Sequence, residues 1–354
     1  MSVERSPAPG GQAKWKAIAR TWGPWVVLVL ALLFVMKKVV GLPPDPLRVD
    51  KLRHAMEMLP VAQFLTMTAV LLVLNCAADS LAMYFTFGWF GCRLPYRELF
   101  IIRAATYLLA VVQYFVGQAA IVGFLYQRRN VDPLRASGWI LFISGINLGV
   151  LVLLAAVGLA AGDSQVWWLR LVPVGVAVGA GLYAWLLWRK PQGLVRTRML
   201  APLFEAGIVG HIKAVIVRLP HVMVLIVWHY IALHMFGVMV PFAAALVLLP
   251  AVFFAAALPF SPQGVGLTQV AAIYFLSGYV QSPDPTVRDA AVLAYSATMT
   301  VVSIIVQLVM GASFLPAAKR LGLSDVRTMP AKVSDLDAAA DAKDGAPALE
   351  VGDG

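Results

Sequence analysis

The sequence predicts an all-α polytopic membrane protein with about six full spans plus two opposed re-entrant helical hairpins, arranged like inverted repeats. Three observations carry that expectation. First, only 13% of the 354 residues are charged, 60% are hydrophobic, and the mean hydropathy is +0.80. A soluble domain carries roughly 25% charged residues, so lipid must cover much of this surface. Second, apolar runs such as 139–161 and 290–315 approach or exceed the roughly 20 residues that cross a hydrocarbon core. Third, two apolar regions, 99–126 and 240–280, are interrupted midway by glutamine, glycine or proline. Apolar/polar alternation in ten-residue units, the mark of an outer-membrane barrel, is absent.

The elements follow in chain order. Lys14, Lys16 and Arg20 precede the apolar run 25–36, and Lys37 and Lys38 stand where a leader peptide would carry small residues. An uncleaved anchor helix over about 21–40 is therefore expected. Segment 47–58 is short and amphipathic and suits the membrane interface. Full spans are expected over about 61–87, 139–161, 167–188, 219–238 and 290–315. The tail from Ser324, rich in Ala, Asp and Gly without apolar periodicity, reads as disordered. The expected organisation is a cytoplasmic segment 1–20, a transmembrane domain 21–316 and a cytoplasmic tail 317–354.

Charge orients these elements. The net charge is +10, and the basic residues flank apolar runs, which points to topology and anionic headgroups rather than nucleic acid. If each apolar region were one span, Arg189, Lys190, Arg196, Arg198, Lys213 and Arg218 would lie outside, against the positive-inside rule. If both interrupted regions enter and leave on one face, these residues join Arg93, Arg97, Arg103, Arg128, Arg129, Arg135, Lys319, Arg320 and Arg327 on the cytoplasmic side. Lys37, Lys38, Arg48, Lys51, Arg53, Arg170 and Arg288 then remain outside. Both termini are expected inside, in the cytoplasmic (inner) membrane of a bacterium.

The interruptions supply the candidate site. In the second, Pro259 and Pro262 end one helix, while Gln263, Gly264 and Gly266 permit tight backbone before a helix near Leu267 that carries Gln269. A helix N-terminus left at mid-membrane presents unpaired N–H groups and suits a phosphate or carboxylate. A proline kink in one long helix fits the spacing equally well. In the first, Arg103 is followed by Gln113, Gly117 and Gln118. A buried Arg103 requires an anion or carboxylate; an Arg103 near the headgroups would snorkel, and the glutamines would bond neighbouring helices. Asn147, central in its run, packs against another helix or meets a substrate. Asp79, towards the end of its run, reads as solvated. His229 and His234, five residues apart, project about 140° apart on a helix, a poor geometry for one metal. Cys76 and Cys92 have no redox or metal spacing. No P-loop, GxSxG or HExxH occurs, so neither cofactor, metal nor catalytic constellation is expected.

At these interruptions the sequence resembles the flippase-like transmembrane family, which includes the membrane domain of lysylphosphatidylglycerol synthetases and stand-alone relatives. The resemblance covers about 47–319: the amphipathic 47–58, the turn from Gly91 through Cys92 and Arg93 to Pro95, the Gln113–Gln118 break and the connector 128–138 follow the family's order. The second break is similar to its Pro-x-x-Pro-Gly-Gly-x-Gly-x-x-Glu signature. Gln263 replaces a glycine and Gln269 a glutamate. The first break lacks the family's proline, and Gln118 stands where glutamate is frequent. The resemblance implies a lipid translocase for an amphipathic lipid with an anionic headgroup, without the acids that would couple it to ions. With no transferase domain after Leu315, lysyl transfer is not expected. The alternatives are a membrane scaffold or accessory subunit for a lipid-modifying or glycosyl-transferring enzyme, and a cryptic membrane transferase. The expected partners are lipids with anionic headgroups and not nucleic acid; a homo-oligomer or a lipid-modifying enzyme partner is left open.

Overall fold

The computed structural model describes residues 46–57, 59–112, 114–161, 171–257 and 265–323. The anchor helix 21–40, segment 1–20 and the tail from 324 lie outside them. The regular elements are helices: α1 (Pro46–Glu57), α2 (Val61–Trp89), α3 (Tyr96–Val112), α4 (Tyr114–Arg129), α5 (Pro133–Ala161), α6 (Val172–Arg189), α7 (Gln192–Val195), α8 (Ala201–Met235), α9 (Phe242–Ala257), α10 (Leu267–Leu276) and α11 (Pro285–Arg320). Their starts follow from proline, whose fixed φ and missing donor suit a first turn. Pro133 and Pro285 open α5 and α11, and Pro202 lies in the first turn of α8. Asp284 caps α11 by accepting the Thr286 N–H at 2.8 Å.

Four helices, α2, α5, α8 and α11, are long and apolar enough to cross a membrane, and the chain is an integral membrane protein. Their outward faces are apolar: Val209 on α8 is 64% exposed and Val301 on α11 is 56% exposed, surface that water would not tolerate in such quantity. The expected span 219–238 is the second part of α8, which begins at Ala201 and therefore carries Lys213 and Arg218 within the helix. Inside α8, Gly207 adopts φ 57° and ψ −175° and kinks the helix, a conformation that glycine enters without a Cβ penalty.

Side-chain pairs give the helix directions. Phe64 meets Phe236 at 5.8 Å, and His221 Nδ1 lies 3.2 Å from the Asn75 carbonyl, so α2 and α8 are antiparallel. Arg135 bonds Glu205 at 2.9 Å and Phe142 meets His211 at 4.9 Å, so α5 and α8 are parallel. α3 and α4 fold back on each other. Arg128 lies 3.7 Å from Glu98, and a Cβ on Gly117 would stand 3.0 Å from the Ala110 Cβ. The interruption expected within 99–126 is thus a chain reversal between α3 and α4. In the second interrupted region the Met239 N–H donates to the Tyr279 carbonyl at 3.0 Å, beside a Val238–Val280 bridge. The chain thus enters α9 and leaves α10 at one place.

The two hairpins open at opposite ends of the bundle. The first opens where α2 ends and α5 begins, the second where α8 ends and α11 begins. α3 runs antiparallel to α11, with Phe100 on Phe314 at 5.5 Å, and a Cβ on Gly311 would come within 2.7 Å of Leu108. α9 packs near the end of α5, where a Cβ on Gly158 would come within 2.6 Å of the Ala243 carbonyl. The end holding the first hairpin's opening carries Arg93, Arg97, Arg128, Arg129, Arg135, Arg189, Lys190, Arg196, Arg198, Lys319 and Arg320. The opposite end carries Lys51, Arg53 and Arg288 with Asp50, Glu57, Asp284 and Asp289.

Candidate functional site

Four helices converge on Asp79, which is fully buried on α2. One carboxylate oxygen accepts from Arg103 Nε on α3, and the other from Arg218 Nη1 on α8. Arg218 Nε also donates to Asn147 Oδ1 on α5 at 3.0 Å. His221, nearly one turn beyond Arg218, turns Nδ1 to the Asn75 carbonyl. The Arg103 guanidinium lies over the Tyr107 ring, 5.2 Å from its centroid. Asn147 stands midway along α5, so the cluster sits at mid-height in the bundle.

An isolated charge at the centre of a membrane-spanning helix costs about 2.5–3.5 kcal/mol on insertion scales. Pairing offsets that cost only where lone pairs and protons are satisfied. Here the satisfaction is incomplete. Arg103 and Arg218 are 7% and 5% exposed, and Arg103 Nη1 is buried with no hydrogen-bond partner among the described residues. The Asn75 Oδ1 nearby is in the same state. Two guanidiniums against one carboxylate leave the cluster with a surplus positive charge. A buried guanidinium with a free N–H binds a carboxylate or phosphate through short, charge-assisted hydrogen bonds.

The second hairpin makes a separate arrangement. Gly266, at φ 86°, precedes α10. Its N–H donates to Gln269 Oε1 at 2.6 Å, and Gln269 Nε2 donates to Thr300 Oγ1 on α11 at 3.2 Å. Gln269 therefore caps its own helix and ties it to α11. The Gly266 N–H expected to face an anion is already taken by this side chain.

Of the residues singled out in the sequence, Arg103 and Asn147 meet in one cluster. Gly117 and Gln118 are buried on α4, with Gly117 against α3. Gly266 and Gln269 bond within the second hairpin. Gln113, Pro259, Pro262, Gln263 and Gly264 lie outside the described residues. Three readings change. Asp79 is not solvated but is the buried counter-ion of the cluster, and Arg103 is buried with it instead of snorkelling. Arg218 leaves the loop group and joins the core. The signal for Asp79 and Arg103 was present: a lone acid and a lone base in apolar surroundings must find each other. His229 bonds the Tyr295 hydroxyl at 2.7 Å and His234 the Tyr230 carbonyl at 2.9 Å. Comparison with family models, curated proteins and solved structures returns no match for this chain.

Proposed function

We propose that this chain is a flippase-like lipid translocase for an amphipathic lipid with an anionic headgroup. In this reading α3–α4 and α9–α10 are re-entrant hairpins entering a bacterial inner membrane from opposite faces. The arginine-rich end is cytoplasmic by the positive-inside rule, and about six full spans surround the hairpins in an inverted repeat. The observation that carries the proposal is the buried surplus of positive charge around Asp79, with Arg103 Nη1 unpartnered. A cation placed at mid-depth without enough counter-charge is unfavourable unless an anion visits it.

The headgroup phosphate would bind Arg103 and Arg218 and compete with Asp79 for them. Asp79 and Arg103 belong to α2 and α3, and Arg218 to α8. An anion that takes over Arg218 loosens α2 from α8 and lets the two halves rock, while acyl chains remain in lipid. No bond of the lipid is made or broken. The test is leaflet transfer of a fluorescent phosphatidylglycerol in vesicles containing the purified protein. Transfer above protein-free vesicles, abolished by Arg103→Gln, is expected; a parent protein without transfer would sink the proposal. The scaffold reading draws on one observation, that both Asp79 oxygens are occupied and tie α2, α3 and α8 together, with α5 joined through Asn147 and Arg218. It requires Arg103→Gln to impair assembly with a lipid-modifying enzyme while lipid transfer is absent from the parent.

A further inference from the structure

A cavity of about 380 Å³ lies at the arginine-rich end, between the C-terminal end of α2 and the first turns of α5 and α8. We propose that it is the admission site for the phosphate-bearing headgroup of a membrane lipid, which enters sideways from the bilayer. This rests on the lipid reading above and deepens it.

Trp89, Phe90 and Phe142 form its apolar wall, and Arg135, Glu205 and Lys213 its polar part. The wall is fixed in place. Phe90 stacks on Trp139 at 5.6 Å and meets Phe142 edge-on at 5.5 Å. Phe142 in turn packs on His211, which bonds the Tyr183 hydroxyl at 2.7 Å and the Gly207 carbonyl at 2.6 Å. The Gly207 kink thus orders the wall and sets the first turns of α8, with Glu205, over the cavity. Arg135 and Glu205 neutralise each other at 2.9 Å, and Lys213 adds a net positive charge.

Lys213 gives the direction of entry. It is exposed on a face of α8 shared with Val209, Ile212 and Ile216, which are 64%, 56% and 63% exposed. A lysine on a lipid-facing apolar stripe reaches for a headgroup. A free phosphate would need the cations but not the aromatic wall; a lipid needs both. The α5–α8 pair also leads inwards, from Arg135–Glu205 past Phe142–His211 to Asn147–Arg218. Five residues of helix, about 7.5 Å of rise, separate Lys213 from Arg218.

The test uses the full chain in vesicles of phosphatidylcholine and phosphatidylglycerol with a photoactivatable phosphatidylglycerol. Labelling is expected on peptides containing Phe142 or Val209. Arg135→Gln with Lys213→Gln should lower it about tenfold, which is ~1.4 kcal/mol, while Glu205→Gln, which removes only the acid, should leave it equal or higher. Millimolar inorganic phosphate should not displace the label. Parental labelling in the double variant, a fall in Glu205→Gln, or complete displacement by inorganic phosphate would each overturn the assignment, the last by giving the site to the free ion. Arg103→Gln should keep this label and lose leaflet transfer. A parent protein that labels here without transferring lipid would refute the translocase reading and leave the admission site standing.

Discussion

Replacing Asp79 by Asn tests the central cluster most directly. Asn keeps the shape and an oxygen acceptor but removes the negative charge that Arg103 and Arg218 share. Two buried guanidiniums then face each other uncompensated, and breaking a buried pair from one side costs about 3–5 kcal/mol. Arg103→Gln acts in the opposite sense. It leaves the Asp79–Arg218–Asn147 chain intact and makes the cluster neutral, so the loss should stay near ~1.5–3 kcal/mol, the range for one hydrogen bond to a charged group. The two variants should also respond oppositely to ligand. A lipid present at about a hundredfold over its dissociation constant adds ~2.7 kcal/mol of stability. Phosphatidylglycerol should therefore raise the unfolding midpoint of the parent, raise that of Asp79→Asn further by standing in for the lost carboxylate, and barely move Arg103→Gln. Unfolding of the purified protein, with phosphatidylcholine alone or with added phosphatidylglycerol, reads all three. Equal shifts in the three proteins would show that the cluster is not an anion seat.

Further predictions follow from other contacts. Gln269→Met should cost about 1–3 kcal/mol because the buried Gly266 N–H loses its acceptor and the tie to the Thr300 oxygen is lost; Gln269→Glu, which still accepts from Gly266, should be milder, and the reverse order in chemical unfolding would refute the cap. Asp284 accepts from Lys51 and Thr286, and these hydrogen bonds hold its carboxyl below the usual carboxylate range. The docking of α1 on α11 should therefore persist at pH above about 4, the unfolded value, and be lost only as pH falls through the lower folded value. Hydrogen exchange in 46–57 should rise there, and at neutral pH in Asp284→Asn; acid-insensitive exchange would refute it. In a chain lacking Cys76 and Cys92, Arg135→Cys and Arg196→Cys should resist an impermeant reagent added outside intact cells, and ready labelling at Arg135 would refute the first re-entrant hairpin.

Much of the fold was legible from local chemistry. Gln113, Gly117 and Gln118 marked a break in an apolar run, and α3 and α4 fold back on each other there. Apolar runs placed the starts of α2, α5, α6 and α11 to within about six residues. The start of α8 was missed because an arginine in an apolar sequence reads as a span boundary. Arg218 is tolerated inside the helix by a carboxylate 139 positions away, a pairing that no local window reveals. Pro220 also lies inside this helix, as a proline can within a membrane helix where neighbours satisfy the freed groups. Arg103 and Asn147 were legible as candidates because each is a lone polar group in an apolar run. Arg218, which joins Asn147 to the carboxylate that Arg103 also holds, was not, and neither was the Gly207 kink that shapes the cavity wall.

The frame is more symmetric than its chemistry. Each hairpin's first helix packs on the last helix of the other half, α3 on α11 and α9 on α5, and each contact is made at a glycine, Gly311 or Gly158. Between them, α2 and α8 pack antiparallel. Exchanging α2–α5 for α8–α11 leaves these packing relations unchanged, and in the proposed cycle the halves alternate between two tilts related by that exchange. The charges break that equivalence. Arg103 is the eighth residue of α3, whereas the eighth residue of α9 is Leu249. In that cycle the ion cluster favours the tilt in which α8 is held to the first hairpin. A ligand shifts such an equilibrium only by binding the two tilts differently. In the proposed cycle an anion does so, because taking Arg218 from Asp79 cuts the buried tie between the halves.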